Sequence, residues 1–200
     1  MIITKLEICH TKKTRVYIDE EFAFVVYPQD IRIYGLKENI ELSEEQYNQI
    51  MEETIIRRAK QKAMALLQKS DRTEKELSFK LKQAEYPQIA IDYAIEYVKN
   101  YNYINDNRYL EQYISYKKRT KSMRVMEMEL RQKGISKEQI QEQMEKEAVT
   151  DEIAIEKAIR KKIGQKEQLT FEEKQKIAGY LYRKGFTEKD IRTYLWNRFE

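Results

Sequence analysis

Clusters of lysine and arginine are the residues of this sequence whose types and spacing most clearly offer chemistry. Three clusters stand out: Arg57, Arg58, Lys60 and Lys62; Lys117, Lys118, Arg119, Lys121 and Arg124; and Arg160, Lys161, Lys162 and Lys166. Grouped cations bind phosphates and carboxylates, so the clusters predict an acidic partner. The cluster from Lys117 to Arg124 is the densest and is our first choice. For each cluster, a charged helix face that contacts only solvent is the alternative.

Tyrosine is the second unusual residue type, with 15 copies in the chain. Seven of them crowd one stretch of sequence: Tyr93, Tyr97, Tyr101, Tyr103, Tyr109, Tyr113 and Tyr116. Spacings of three and four place several on one helical stripe, which favours packing. The alternative is stacking on single-stranded bases beside positive charge. We assign most of these tyrosines to packing and keep Tyr116, next to Lys117, as a possible contact.

Catalytic and metal-binding residues are scarce in this sequence. The chain has one cysteine, Cys9, and one histidine, His10. Neighbouring side chains on a strand point to opposite faces, so this pair is poorly placed as nucleophile and base or as ligands of one metal. A glycine-rich phosphate loop is also missing. The sequence therefore predicts a protein that is not an enzyme and has no metal or cofactor.

Composition and charge limit the class of protein. With 36% charged and 41% apolar residues, the chain is predicted to be folded and soluble. Its apolar runs are too short to span a membrane, its start lacks a signal-peptide core, and a single cysteine suits the cytoplasm. Residues 1–50 contain 6 basic and 9 acidic side chains, and residues 51–200 contain 32 and 25. This modest asymmetry fits a partner that is partly protein.

A repeated block indicates which elements position the basic clusters. The pattern that starts at Thr73 recurs at Ser122 and at Glu173. Each copy has apolar residues four apart on one helix, then a break, then a second apolar helix. The breaks align at Glu85, Gly134 and Gly185. Because a further helix precedes each pair, each copy is predicted to be a three-helix bundle of roughly 45–50 residues.

The first 42 residues follow a different pattern. Alternation from Ile2 to Ile8 and β-branched or aromatic runs at Arg15–Ile18 and Phe22–Tyr27 predict an antiparallel sheet, with Ile31–Tyr34 as a fourth candidate strand. The predicted fold is thus mainly α: three tandem three-helix bundles forming an elongated curved solenoid, preceded by a small antiparallel β module. The expected domains are 1–42, 43–104, 105–148 and 149–200.

The repeat motifs resemble those of the RecX family, regulators of the RecA recombinase. The resemblance covers about residues 55–200, and the N-terminal segment looks like an extension found in some Gram-positive members. Four segments carry it: Ala63–Leu67 with Arg72–Leu77, Tyr103–Tyr109, Arg131–Ile135 and Tyr182–Thr187. Asn105 and Leu110 depart from the family pattern, which has Asp and a small residue there. Asn can still cap a helix, whereas Leu110 could change packing at the join.

The resemblance implies a protein that binds the RecA–DNA filament along its groove, damps ATP hydrolysis and strand exchange, and favours disassembly in recombination and repair. Weak, salt-dependent contact with single-stranded DNA and a monomeric state are expected. The candidate contact residues are Arg57, Arg58, Arg72, Tyr116, Lys117, Lys118, Arg119, Lys121, Arg124, Arg160, Lys161 and Lys162.

Two alternatives remain open at this stage. Tandem three-helix units also describe helix-turn-helix DNA-binding proteins, but the last helices of repeats two and three carry charges of both signs, which disfavours groove reading. A protein-interaction scaffold without nucleic acid is the other alternative. Salt dependence separates it from a protein that contacts DNA.

Overall fold

The structure is a computed structural model that describes residues 1–9, 12–164 and 166–198. It has two units, Met1–Asn105 and Asp106–Glu200. The first contains β1 (Ile3–Ile8), β2 (Thr14–Ile18), β3 (Glu21–Val26), α1 (Pro28–Tyr34), α2 (Glu44–Ile50), a π-helical segment (Met51–Ile56), α3 (Arg57–Leu67), α4 (Glu74–Gln83) and α5 (Gln88–Asn100). The second contains α6 (Asp106–Lys117), α7 (Met123–Gln132), α8 (Lys137–Lys146), α9 (Glu152–Ile163), α10 (Phe171–Arg183), α11 (Glu188–Ile191) and a terminal π-helical segment (Arg192–Trp196).

The predicted N-terminal sheet is present as three antiparallel strands in the order β1–β2–β3. Its β2–β3 hairpin turns through only Asp19 and Glu20, whose φ angles of 50° and 70° are both left-handed. Such a turn matches the twist of the strands but usually needs glycine or asparagine. Here β1 supports it: the Asp19 carboxylate accepts a hydrogen bond from the Ile2 amide at 2.8 Å, and the Thr4 hydroxyl accepts one from the Glu20 amide at 3.0 Å.

The prediction of a fourth strand at Ile31–Tyr34 is wrong, because these residues lie in α1. Pro28 stands in the first turn, where a missing N–H costs nothing, and Asp30 accepts a hydrogen bond from the Tyr27 amide at 2.8 Å. Gly35 ends the helix with a φ of 62°. The start and stop signals on either side therefore outweigh the strand propensity of the isoleucines between them.

One hydrophobic core joins the sheet to the first repeat. Val16, Phe24 and Val26 of the strands belong to the same buried cluster as Ile55 of the π-helical segment and Leu77 of α4. The N-terminal strands therefore complete the core of the first bundle, which would be small by itself.

The helix that precedes the first pair is present as α2, the π-helical segment and α3, which follow one another from Glu44 to Leu67. The Ser43 hydroxyl caps it by accepting the Gln46 amide at 3.1 Å. In the π-helical segment three consecutive residues, Thr54, Ile55 and Ile56, are buried, as the wider turn allows.

The second unit contains two three-helix bundles, each with a core of its own. Helices α6, α7 and α8 enclose one core, with Leu110, Ile114, Met126, Leu130, Ile135, Ile140, Met144 and Val149 buried. Helices α9, α10 and α11 with the terminal π-helical segment enclose the other, with Ala154, Ile155, Ile159, Ile177, Leu181, Phe186, Ile191 and Leu195 buried. Eight of these buried residues are the helix positions that the repeat pattern predicts to be apolar: Met126, Leu130, Ile140, Met144, Ile177, Leu181, Ile191 and Leu195.

The aligned breaks all adopt left-handed backbone, with φ of 64° at Glu85, 96° at Gly134 and 83° at Gly185. Glycine suits this conformation, and Glu85 adopts it without glycine while its carboxylate pairs with Arg15. In the third repeat α10 begins one turn earlier than the aligned Glu173 because Thr170 caps it, accepting the Glu173 amide at 3.3 Å.

Candidate interaction surface

The densest basic cluster lies where α6 ends and α7 begins, and two of its five cations have partners inside the repeat. The Lys118 ammonium is 2.9 Å from the Glu147 carboxylate. The Lys121 ammonium is 2.5 Å from the Glu129 carboxylate and 3.4 Å from the Tyr113 hydroxyl. Both lysines therefore stabilise the second bundle.

The protonation of these groups reflects the pairing. Burial acts to raise the pKa of Glu129, but hydrogen bonds from Lys121 and Tyr113 outweigh it and lower that pKa. Burial likewise acts to raise the pKa of Glu147, but hydrogen bonds from Lys118 and Gln143 outweigh it and lower that pKa. Burial and the bond to Glu129 raise the pKa of the Tyr113 hydroxyl, which therefore keeps its proton. The two carboxylates stay ionised and hold their lysines.

The other three cations of this cluster lie at the surface of the bundle. Arg119 and Arg124 are exposed, and Lys117 lies with its ammonium 4.7 Å from the ring centre of Tyr116, which is 77% exposed. Within the described part of the chain, none of these three cations has an ion pair. They form a small cation–aromatic surface that can contact an anionic partner.

The candidates of the first unit divide in the same way. Arg58 donates hydrogen bonds of 2.5 and 2.8 Å to Asp30 and stacks on Tyr27, 4.8 Å from its ring centre. It is therefore a structural residue. Arg57 is exposed. Arg72 is half-buried, and its Nε has no hydrogen-bond partner among the described residues.

The third basic cluster lies at the C-terminal end of α9, where positive charge also complements the helix dipole. Arg160, Lys161 and Lys162 are exposed and, among residues 1–9, 12–164 and 166–198, form no ion pair. They do not share one surface. Lys161 lines a groove of about 590 Å³ between repeats two and three, whereas Lys162 lines a separate cavity of about 250 Å³ beside α10.

Repeats two and three are joined at the N-terminus of α7. The Ser122 hydroxyl donates a hydrogen bond of 2.9 Å to the carbonyl oxygen of Lys184, and the Asp151 carboxylate accepts the Met123 amide at 2.7 Å. Burial raises the pKa of Asp151 despite that hydrogen bond. Gly185 packs so closely that a Cβ there would lie 2.7 Å from both Ser122 Oγ and Val125 Cγ2. These contacts fix the walls of the groove.

Several residues of this region were missed by sequence reasoning. Lys157, Lys176, Tyr180, Arg183 and Lys184 line the two cavities together with Lys161 and Lys162. The spacing of these residues along the sequence was the signal that could have identified them. On α9, Lys157 and Lys161 lie four apart, and on α10, Lys176, Tyr180 and Arg183 lie four and three apart, which places each set on one helix face.

The tyrosine assignment is only partly right. Tyr97, Tyr109 and Tyr113 pack against buried clusters, as predicted. Tyr93, Tyr101, Tyr103 and Tyr116 are exposed. Some of the exposed rings contact one another instead, such as Tyr101 and Tyr103, which stack with centres 6.0 Å apart.

Among the described residues, no group of three or more His, Cys, Asp and Glu side chains has the geometry of a metal site. Cys9 is half-buried with its Sγ near the Glu7 carbonyl oxygen, and His10 lies outside the described residues. None of the described helices is long and apolar enough to cross a membrane.

Four family models match successive parts of the chain. Residues 1–43 match the N-terminal domain of regulatory protein RecX, and residues 59–97, 105–144 and 151–195 match the first, second and third three-helix domains of RecX. The chain belongs to the RecX family. The predicted family and the mainly helical fold with three three-helix domains are thus confirmed, while the elongated curved shape stays a prediction.

Similarity to named RecX proteins extends over most of the chain. It is 36% identical to the regulatory protein RecX of Clostridium beijerinckii, over 92% of this chain and 89% of the relative. It is 32% identical to the regulatory protein RecX of Clostridium acetobutylicum, over 94% of this chain and 92% of that relative. A crystal structure of regulatory protein RecX shares the fold, with a TM-score of 0.62 and 23% identity over 98% of both chains. RecX from Lactobacillus salivarius has a TM-score of 0.59 and 25% identity over 71% of this chain and 95% of that one.

Proposed function

We propose that this RecX-family chain is a non-enzymatic regulator that binds the filament of RecA on single-stranded DNA, inhibits its ATPase and strand exchange, and favours its disassembly. Family membership supports RecA as the partner. The observation that carries the proposal is the division among cations: some hold the bundles together, and others have no carboxylate of their own and remain available to a partner.

The available cations occur in both repeats of the second unit. Among the candidates of the second unit, those without an ion pair to another described residue are Lys117, Arg119, Arg124, Arg160, Lys161 and Lys162. A nucleoprotein filament presents phosphates at regular intervals. Several weak contacts from one chain then act together, because each contact raises the local concentration of the next.

The test is the DNA-dependent ATPase of the matching RecA, with the full chain titrated from well below one per RecA protomer. Inhibition at a low ratio supports a filament regulator. No effect at excess would favour one of the alternatives, a DNA-binding protein or a scaffold, for the same repeats.

The structure separates two sets of variants within the densest cluster. K117A/R119A/R124A removes cations that have no internal partner, so we expect normal thermal stability and roughly tenfold more protein needed for half-inhibition. K118A/K121A leaves Glu147 and Glu129 without their lysines, so we expect a lower melting temperature.

The matched control for the first set is K137A/K189A/R192A, which removes three exposed cations elsewhere in the same unit that form no ion pair with the described residues. Inhibition that falls equally in the control and in K117A/R119A/R124A would mean that only net charge matters. Unchanged inhibition in K117A/R119A/R124A would remove this cluster from the proposed interface.

A further inference from the structure

The groove between repeats two and three has the composition of a peptide-binding surface. Its volume of about 590 Å³ lies within the range of ligand sites in proteins. Helix α7 of the second repeat forms one wall, and α9 and α10 of the third repeat form the other. The Ser122–Lys184 and Asp151–Met123 hydrogen bonds join the two walls, so the groove is already formed in the free chain.

The floor of the groove is apolar. It is formed by Val125, Met128, Ala154, Ala158 and Phe186. Met128 is 53% exposed, and Val125 and Ala158 are half-buried. An exposed methionine among small apolar side chains provides an adaptable surface for apolar groups of a partner.

The rim of the groove is basic. Lys157, Lys161, Arg183 and Lys184 line it, all four are exposed, and over the described residues none of them forms an ion pair. The acidic lining residue is Glu129, whose charge is already matched by Lys121. The rim therefore presents net positive charge around an apolar floor.

We propose that this groove binds an acidic amphipathic helix of a protein partner. Apolar side chains spaced three and four apart would lie on Met128, Val125 and Ala158, and carboxylates on either side would meet the rim cations. This inference rests on the proposed function only in taking the partner to be a protein.

The groove fits a peptide better than single-stranded nucleic acid. Strand-binding surfaces offer open aromatic rings on which bases stack. Here the aromatic ring at the rim, Tyr180, is half-buried, and the ammonium groups of Lys162 and Lys184 lie 4.5 and 5.8 Å from its centre. The exposed apolar surface is aliphatic, which suits leucine or methionine side chains rather than bases.

The test measures binding of a fluorescent synthetic peptide to the full chain by polarisation. The probe is a helix of about five turns with Leu along one face and Glu on the others. Its comparators are a scrambled peptide of equal composition and a labelled oligo-dT. We expect the amphipathic peptide to bind at least about tenfold more tightly than the scrambled one, because only it presents an apolar face.

Three variants locate the binding site. K157E/K161E reverses two rim charges and should weaken peptide binding about tenfold or more. M128Q removes apolar contact without adding charge and should weaken it about threefold. K137E/K189E reverses two exposed lysines outside the groove and should leave binding unchanged. Loss in the first two with no loss in the third supports the groove.

Other outcomes overturn the inference. The inference is wrong if the amphipathic peptide does not bind or if the scrambled peptide binds equally well. It is also wrong if K157E/K161E and M128Q bind the peptide as tightly as the wild type does. Tighter binding of oligo-dT that is lost in K157E/K161E would reassign the groove to nucleic acid. The RecA ATPase assay distinguishes this inference from the proposed function. Inhibition of the ATPase without peptide binding would refute only the peptide-binding groove. Peptide binding without inhibition of the ATPase would refute only the proposed function.

Discussion

Arg58 and Lys161 look alike in the sequence, as members of basic clusters on helices, yet their neighbours give them opposite roles. The Arg58 guanidinium is held by Asp30, which is only 3% exposed. Lys161 extends from α9 at the rim of a groove and has no ion pair among the described residues. A cation that neutralises a buried carboxylate cannot leave it for a partner without a large cost.

The Arg58–Asp30 pair makes a prediction about stability. Burial tends to raise the pKa of Asp30, but the hydrogen bonds from Arg58 and the Tyr27 amide outweigh it and lower the pKa below 3.8. R58A leaves that carboxylate buried and unpaired, so we expect a loss of about 3 kcal/mol in the free energy of unfolding at neutral pH. Urea titration measures it, with R57A as the matched control.

The same pair sets a dependence on pH. The pKa of Asp30 is lower in the folded than in the unfolded chain. The stability that the Arg58–Asp30 pair contributes is therefore fully present above pH 3.8, and it is lost as the pH falls through the lower pKa of the folded chain. The stability difference between the wild type and D30N should therefore shrink under acid, whereas D71N, at an exposed position, should show little difference throughout. A D30N difference that stays constant down to about pH 2 would contradict the assignment.

At the scale of elements, the joint between α7 and the end of α10 depends on a close contact at a glycine. Gly185 combines a left-handed φ of 83° with the approach of Ser122 and Val125. The glycine that ends α10 therefore also lets the third repeat pack directly on the first turn of α7. The contact lies beside the groove, which Val125, Lys184 and Phe186 line.

Substitution of Gly185 tests the close approach. G35A places alanine at a φ of 62° with no atom within 4 Å of the new Cβ, so it should cost about 1 kcal/mol for backbone strain alone. G185A adds the clash and should cost about 1–3 kcal/mol more in urea unfolding. In a V125A background the extra cost should fall, because one clashing group is gone. Equal costs for G35A and G185A would show that the joint can relax.

At the scale of the whole molecule, charge is distributed unevenly along the chain. Residues 1–50 carry 6 basic and 9 acidic side chains, and residues 51–200 carry 32 and 25. The excess is small, so electrostatic attraction to DNA should be weak and should act together with contacts to protein.

The salt dependence of binding to single-stranded DNA measures the phosphate contacts. The logarithm of the affinity falls with the logarithm of salt by about 0.7 for each phosphate contact on a single strand. K117A/R119A/R124A should therefore reduce the slope by about 0.7 for every contact that it removes. The control K137A/K189A/R192A should keep the wild-type slope. A wild-type slope near zero would point to binding through protein contacts alone.

The sequence by itself determined the three helical repeats and their family. Apolar residues four apart, cap residues such as Ser136, and breaks at Gly134 and Gly185 are local signals, and they act within one or two turns of helix. The β-branched residues of Ile31–Tyr34 gave a wrong prediction of a strand, because short segments take the structure that their flanking residues and tertiary contacts favour.

Only the tertiary structure decided which basic residues are available to a partner. Lys118 and Glu147, which form an ion pair, are 29 positions apart in the sequence. Lys121 and Arg183, which both line the groove, are farther apart still. Neither the ion pair nor the groove could therefore be predicted from a periodic pattern. Such sites depend on how separate helices pack, which is set by the summed burial of many side chains. Local pattern can place a lysine on a helix, but the packing of other helices determines what that lysine contacts.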